Sequence, residues 1–445
     1  MPSESDAKRV TDAVLRLSPA AQTEVSFVSL DSALTRFANN EIHQNVAQRD
    51  ATVTVKVAVG RRYGVANSND LSEAGLLAVV EQAMLIARTL PDVDDFLPVP
   101  GPVPAPRLNG YNVATAEFGP LQRAAAVGII CHKAEAAGLN AAGAFRTDLT
   151  SRTVANSAGL FAHHEGTFSQ LMTVVMAADS SGFSARMGMD VRAIDAEAIA
   201  DEAIGKAQRG HNPQPLPAGK YEVVLEPYAT GDLIDWFGWS GFSGMAVEEG
   251  RSFMTGKLGQ SVMGSNISIY DNGRDPTGVI RPFDFEGIPT QRVDLVKDGI
   301  AISPVHDRRT AAKVGGQTTG HAMPAGSYYG PVPMNQFLKP GQSSQQELIS
   351  GVKRGLLVTR FWYTRAVHPL SVTVTGMTRD GTFLIENGEI VAPVKNLRFT
   401  ESYLQAMQRV TGLGRETILV RDSYPISRVP AIRIADWSFT GTTEY

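Results

Sequence analysis

His211-Asn212-Pro213-Gln214-Pro215-Leu216-Pro217-Ala218-Gly219 is the stretch that organises this 445-residue chain. Each of its three prolines lacks a backbone N–H and fixes its own φ, so the stretch can be neither helix nor central strand. It is expected to cross the surface as a linker at 211–219, parting residues 1–210 from residues 220–445. A strand restarts directly after it, at 221–225. Upstream, 195–208 reads as a helix and 151–178 as a β-meander turning at Asn156-Ser157-Ala158-Gly159. Residues 120–138 read as a helix with Leu121, Ala125, Ile129 and Ala134 inward, ending at a glycine cap. Six prolines between 91 and 107 mark an extended surface connection. Before them, 71–90 reads as a helix burying Leu76, Leu77, Val80, Ala83, Met84, Ala87 and Leu90. The alternating strand 52–59 ends at a turn over 60–64. Downstream the text is glycine-rich and strand-rich, with hairpin signals at Asp271-Asn272-Gly273, Asp298-Gly299 and Asn387-Gly388. The fold class expected is α+β in two domains, a helix-covered sheet followed by a larger strand-rich domain.

Composition narrows the function. With 43% apolar and 19% charged residues the chain can bury a large core. Its net charge of −4 gives no general attraction to nucleic acid. One cysteine, Cys131, excludes an internal disulfide and fits a reducing compartment. The polar start MPSESDAKRV has no apolar signal core, and no run of about 18 apolar residues occurs. A cytoplasmic protein without nucleic-acid or membrane partners is expected.

Two blocks carry the functional reading. The C-terminal one runs from Lys353-Arg354-Gly355-Leu356-Leu357-Val358-Thr359 through Thr375-Gly376 to Gly381-Thr382-Phe383-Leu384-Ile385-Glu386-Asn387-Gly388-Glu389-Ile390, closing on Pro393-Val394. Supporting strings are GGQTTG at 315–320, FMTGKLG at 253–259 and RFANNEIH at 36–43. Together they resemble the TldD/PmbA family, also called TldD/TldE or modulator-of-gyrase proteins, over roughly residues 25 to 415. In the family's TldD-type branch a His-Glu-x-x-x-His helix binds the metal, followed by glycines and a Ser-x-x-x-Gly turn. Anchored on Gly231, Leu233, Gly241, Gly244, Gly250, Ser252 and Gly256, the resemblance places the two histidines on Asp235 and Ser240 and the glutamate on Trp236. A zinc peptidase needs imidazole, carboxylate or thiolate ligands and a base for the bound water. Trp236 cannot take a proton, Ser240 is a poor zinc ligand, and the family's later thiolate has no counterpart around 421–423. The resemblance is therefore to the PmbA/TldE branch, with no catalytic residue and no metal on this chain. Zinc is expected only in a TldD-type partner.

Other candidates read as structural. His163-His164-Glu165 lacks the next residue of either zinc-helix spacing and alternates like a strand, which favours a structural role over metal binding. Gly238 to Gly244 contains no Gly-x-Ser-x-Gly elbow, and small residues there suit close packing. The glycines of 315–320 lack the Lys-Ser/Thr of a phosphate loop and suit backbone turns. Trp236, Trp239 and Phe242, at i, i+3 and i+6, form an aromatic face suited to core or subunit interface. Trp239, Phe242, Phe361, Trp362 and Tyr363 are the candidate interface residues. His43 reads as structural, and Asp235 as a local cap or ion-pair partner.

The resemblance implies a non-catalytic TldE/PmbA-type subunit of a metallopeptidase system that cleaves unfolded peptides. Its partner is either a second copy or a TldD-type chain, and the peptide is held by main-chain pairing. The alternatives are a homodimeric peptide-binding protein without peptidase activity and a hydrolase with a relocated site.

Overall fold

Pro213, Pro215 and Pro217 lie between two sheets that share no strand. In the computed structural model, which describes residues 2–420 and 425–443, every strand of the first sheet precedes them and every strand of the second follows. The first part contains α1 (Glu4–Leu17), β1 (Gln22–Ala38), β2 (Glu41–Val59), β3 (Arg62–Ser68), α2 (Glu73–Thr89), α3 (Val113–Ala116), α4 (Pro120–Ala136), β4 (Asn140–Asn156), β5 (Phe161–Met176), β6 (Ser181–Gly188) and α5 (Ala196–Arg209). Its strands form an antiparallel sheet in the order β3-β2-β1-β4-β5-β6.

The string RFANNEIH is the β1–β2 hairpin. Asn39 and Asn40 both adopt left-handed φ, 52° and 61°, as a tight turn between twisted strands requires. The Asn40 carboxamide donates to Leu139 O at 2.8 Å and accepts from Ala141 N at 2.7 Å, pinning the hairpin tip to the start of β4. Beneath it Phe37 is buried against Gly143, where any Cβ would lie 2.7 Å from the Phe37 ring and 2.1 Å from Met172 O.

Strand alternation sends Val25, Phe27, Thr35 and Phe37 of β1 to one face, and α1, α2, α4 and α5 all cover that face. On α4 the inward stripe is Arg123, Val127, Ile130, Cys131 and Ala134, while Leu121 is 84% exposed and Ala125 is exposed. The expected face is thus turned, because a buried arginine takes part in it. Arg123 donates to Thr35 Oγ1, Phe118 O and Thr147 Oγ1, which lets it sit in the core. On α2, Val79 is inward and Leu77 and Leu90 are exposed, contrary to expectation.

The second part contains β7 (Gly219–Leu225), α6 (Pro227–Ser240), α7 (Gly244–Glu248), β8 (Ile269–Asp271), β9 (Val293–Lys297), β10 (Ile300–Ala301), α8 (Arg308–Lys313), β11 (Asn335–Leu338), α9 (Gln345–Ser350), β12 (Arg354–His368), β13 (Thr373–Glu386), β14 (Glu389–Pro393), β15 (Leu397–Ser402), α10 (Tyr403–Gln408), β16 (Val410–Val420) and β17 (Ile426–Thr442). Strand β7 pairs with both β12 and β17, closing β7, β12, β13, β15 and β17 into a ring. The ring is filled by Phe361, Phe399, Tyr403 and Trp437. Asp298-Gly299 and Asn387-Gly388 turn at positive φ between β9 and β10 and between β13 and β14, as expected. Asp271-Asn272-Gly273 forms no hairpin. The Asp271 carboxylate is engaged by Met334 N, Asn335 N and His321, which fixes β8 against β11.

The face of the first sheet away from the helices meets the second domain. Phe283 packs with Val154, Leu160 and Ala162, and the Arg152 guanidinium lies 5.0 Å and 4.7 Å from the Phe283 and Phe285 ring centres. The chain thus closes a cleft between its own two sheets.

Candidate functional site

Helix α6 begins at Pro227, whose fixed φ suits the first helical position. The residue before it, Glu226, is buried and tied to the first domain. Lys206 of α5, 3% exposed, donates to Glu226 Oε2 at 2.6 Å, Glu202 Oε1 at 2.7 Å and Phe183 O at 3.3 Å. Gln345 Nε2 donates to the other Glu226 oxygen at 3.2 Å. Arg186 donates to Tyr228 Oη at 2.6 Å and to Glu202 Oε2 at 3.0 Å, and Tyr228 donates to Glu202 Oε1 at 3.1 Å. Burial alone would lower the Lys206 ammonium's pKa, but the facing Glu226 and Glu202 carboxylates outweigh it and raise it. This ionic cluster sets the position of α6 relative to the first sheet.

One stripe of α6, Tyr228, Gly231, Asp232 and Asp235, lines a cavity of about 290 Å³ whose far wall carries Arg146, Gln170 and Met172 of the first sheet. Asp235 therefore faces the cleft. Trp236 faces elsewhere: its indole N–H donates to Thr364 Oγ1 at 3.2 Å, and Thr364 donates to Asp232 Oδ2 at 2.8 Å. Tyr403, fully buried, donates to Asp232 Oδ1 at 2.6 Å, and burial together with Asp232 pushes its phenol well above the usual range. The helix ends at Ser240, and Gly241 admits the Phe253 ring where a Cβ would lie 2.2 Å away.

Among the described residues no group of three or more His, Cys, Asp or Glu side chains is placed to hold a metal. At the three family positions the donor set is a carboxylate, an indole and a hydroxyl, which does not fit zinc. Arg421 to Ser423, the expected thiolate region, lie outside the described residues.

Family models in sequence give the deciding match. Residues 218–441 match the PmbA/TldA metallopeptidase C-terminal domain, 23–87 its domain 1 and 120–210 its central domain. The chain belongs to the TldD/PmbA family. It is 24% identical over 422 residues to a metalloprotease PmbA of Escherichia coli O157:H7, covering 90% of this chain and 88% of that one. A TldD-homologue metalloprotease of Haemophilus influenzae is 30% identical over 230 residues, 50% of this chain and 46% of the relative. The chain spans about half the length of such metalloprotease relatives. The crystal structure of TldE from Thermococcus kodakarensis superposes with a TM-score of 0.88 at 20% identity, covering 97% of this chain and all of that one, and shows the shared fold.

The remaining candidates fall out individually. His163 and His164 lie on β5: His163 Nδ1 is 2.8 Å from Thr153 Oγ1, and burial together with Arg152 holds His164 down to about 4. His43 is exposed on β2. Gly320, at φ 73°, turns where a Cβ would lie 2.3 Å from Pro289 O. Phe242 lies beyond the helix end and is fully buried against Phe237 and Phe253, so it shares no helical face with Trp236 and Trp239. Phe361 stacks on Trp437 inside the ring. Phe242 and Phe361 therefore serve the domain's own core rather than a subunit interface. Trp239, half-buried against Tyr329, and Trp362 and Tyr363, 41% and 63% exposed, reach the surface. No helix among the described residues is long and apolar enough to cross a membrane.

Sequence reasoning missed the Lys206 cluster and the arginines of β4. The latter left a signal: Arg146, Asp148, Thr150 and Arg152 alternate with a second set of side chains at 145, 147, 149 and 151, so the middle of one face of the strand is polar.

Proposed function

We propose that this chain is a non-catalytic, TldE/PmbA-type subunit that supplies cleft walls and stability to a cytoplasmic TldD/TldE-like metallopeptidase acting on unfolded peptides. The observation that carries the reading is the state of α6. The family's metal helix is kept, packed and aimed at a cleft, yet Trp236 is spent on a hydrogen bond to Thr364 and Ser240 offers only a hydroxyl. Zinc and the water-activating base then belong to a TldD-type partner. Trp239, Trp362 and Tyr363 are the surface aromatics proposed as subunit contacts, each contributing about 1.5 to 3 kcal/mol in area terms before ordering losses.

A second reading, a homodimeric peptide holder without peptidase activity, is favoured by the open cavity of about 290 Å³ over α6. Co-purification from the native cell followed by metal analysis of each subunit separates the two. The first reading expects a complex in which the partner carries zinc and this chain carries none; the second expects two copies of this chain. Peptide turnover by the purified, metal-free chain overturns both. A stable, soluble 47.7 kDa monomer at micromolar concentration removes the shared-cleft arrangement.

A further inference from the structure

The turn over 284–288 presses the second domain onto the helix-free face of the first sheet. Its flanks, Phe283 and Ile288, pack with Val154, Leu160 and Ala162, and Gly287, at φ 76°, admits Leu160 where a Cβ would lie 2.5 Å from Cδ2. Between these apolar flanks stands Glu286. Its Oε2 is buried and has no hydrogen-bond partner.

The charged and titratable groups that face Glu286 come from both domains. Glu24 of β1, 5% exposed, lies 3.9 Å from the Lys56 ammonium of β2, which also sits 4.8 Å from the Tyr63 ring centre on β3. The Tyr63 hydroxyl is occupied by the Leu97 backbone, and burial raises its phenol, so it stays neutral. The second domain contributes Asp284 and, from α8, Arg308. Asp284 accepts from Glu286 N at 2.9 Å, Ile288 N at 3.0 Å and Ala322 N at 2.9 Å. Arg308 donates to Pro98 O at 2.8 Å and brings its charge without pairing it to a carboxylate there. Glu24, Asp284 and Glu286 thus meet the two cations Lys56 and Arg308. Fully ionised, the cluster would hold one surplus negative charge out of water, which a single proton cancels. Three N–H donors already serve the Asp284 carboxylate, so the proton settles on Glu286. Burial first, then Asp284 and Glu24, raise the Glu286 carboxyl, and Lys56 and Arg308 do not offset them.

The place of this cluster gives the proton a mechanical effect. It sits over β1, β2 and β3, whereas the ionic tie from Lys206 to Glu226 holds Phe183 O of β6, at the opposite edge of the sheet. The 211–219 linker leaves from that second edge. Between the two lies a cavity of about 270 Å³ lined by Val28 and Leu30 of β1 and by Phe285 and Ile426 of the second domain.

We propose that Glu286 is a proton latch on the contact between the domains. Neutral, it lets the 284–288 turn stay docked on the first sheet; ionised, it drives the turn off and widens the cleft from the β3 side, with the Lys206 tie as the hinge. The latch operates whatever the cleft receives.

The test is hydrogen–deuterium exchange of the full chain in the assembly in which it purifies, scaled by an unstructured reference peptide. Samples at about pH 5 and about pH 9 stand either side of the raised carboxyl. Protection of the 284–288 amides, relative to that of β13, is expected to fall about tenfold or more at the higher pH. In Glu286→Gln, neutral throughout, the fall is expected to vanish. In Glu24→Gln, which removes a repelling charge, its midpoint is expected to move to lower pH. Unchanged protection of the turn in the unmodified chain overturns the latch. So does an equal loss over β13, since that reports global loosening rather than a lifted turn. A full-sized fall in Glu286→Gln moves the effect to another group and overturns the assignment. If that variant does not fold, Glu24→Gln decides, and an unmoved midpoint overturns the proposal.

Discussion

Replacing Lys206 by methionine keeps the stem's volume and deletes the charge that ties α5 to the start of α6. The Lys206 and Glu226 side chains are 3% and 7% exposed, whereas Glu202 is 26% exposed and keeps Arg186. Breaking a fully buried pair by removing one partner costs about 3 to 5 kcal/mol, because a charge is left without compensation. Only Glu226 is stranded here, and Gln345 still donates to it, so Lys206→Met is expected to lose about 3 kcal/mol. The four tryptophans, at 236, 239, 362 and 437, all follow residue 220. Urea unfolding watched by their fluorescence therefore reads the second domain, while far-UV circular dichroism reads both. The loss is expected in the fluorescence transition, because α6 sits on the broken contact. Adding Glu226→Gln removes the stranded charge and is expected to restore most of it. The cluster also sets an acid limit. Burial alone would raise the Glu202 carboxyl, but Lys206 and Arg186 outweigh it and hold it below the ordinary 4.5. A depressed carboxyl contributes stability present above pH 4.5 and lost as pH falls further, so Lys206→Met is expected to show a weaker acid dependence there. A loss in the single variant below about 1 kcal/mol, with no recovery in the double, would refute the positioning role assigned to this cluster.

Three other outcomes are expected. Burial, Asp284 and Glu24 raise the Glu286 carboxyl from the ordinary 4.5 to about 8, so its contribution is full below 4.5 and is lost as pH rises from there through about 8; melting temperature should fall between about pH 5 and 8, and Glu286→Gln should flatten the fall, an unchanged slope counting against the assignment. Gly143→Ala places a methyl against Met172 O and the Phe37 ring and is expected to cost about 3 kcal/mol, whereas Gly188→Ala, with nothing within 4 Å of the new Cβ, should be near neutral by the same thermal assay. The triple variant Asp235→His, Trp236→Glu, Ser240→His is expected to gain no peptidase turnover, since it lacks the thiolate ligand; turnover with stoichiometric zinc by elemental analysis would show that ligands from elsewhere complete the site.

What could be read from the residues followed the strength of local periodicity. The 211–219 prolines part the sheets because no neighbouring residue can override a missing N–H. The hairpin arm over 41–50 leaves no strand signal, and only 52–59 reads as strand, because the arm is exposed on both faces and burial imposes no alternation on it. The phase of α4 differs from the one its apolar residues suggest because a hydrogen-bonded Arg123 looks polar in sequence and behaves as core. Asp235, Trp236 and Ser240 were recognisable as a changed metal helix from spacing alone. Their different fates, one facing the cleft and one turned to Thr364, depend on Asp232, Thr364 and Tyr403, which meet only through the ring of strands.

That ring has a consequence for how the molecule is made. Strand β7 needs residues 355–358 on one side and 432–439 on the other. A chain emerging from the ribosome can finish its first sheet, built largely of consecutive hairpins, as soon as Gly188 is free. Helix α6, attached directly to β7, packs on both β12 and β17, so its floor is incomplete until the final strand arrives. For most of synthesis its apolar face, with Leu233, Ile234 and Phe237, is therefore incompletely covered, and early termination or a slow final pairing leaves the site-bearing helix as the first sticky surface, the natural client of a holding chaperone.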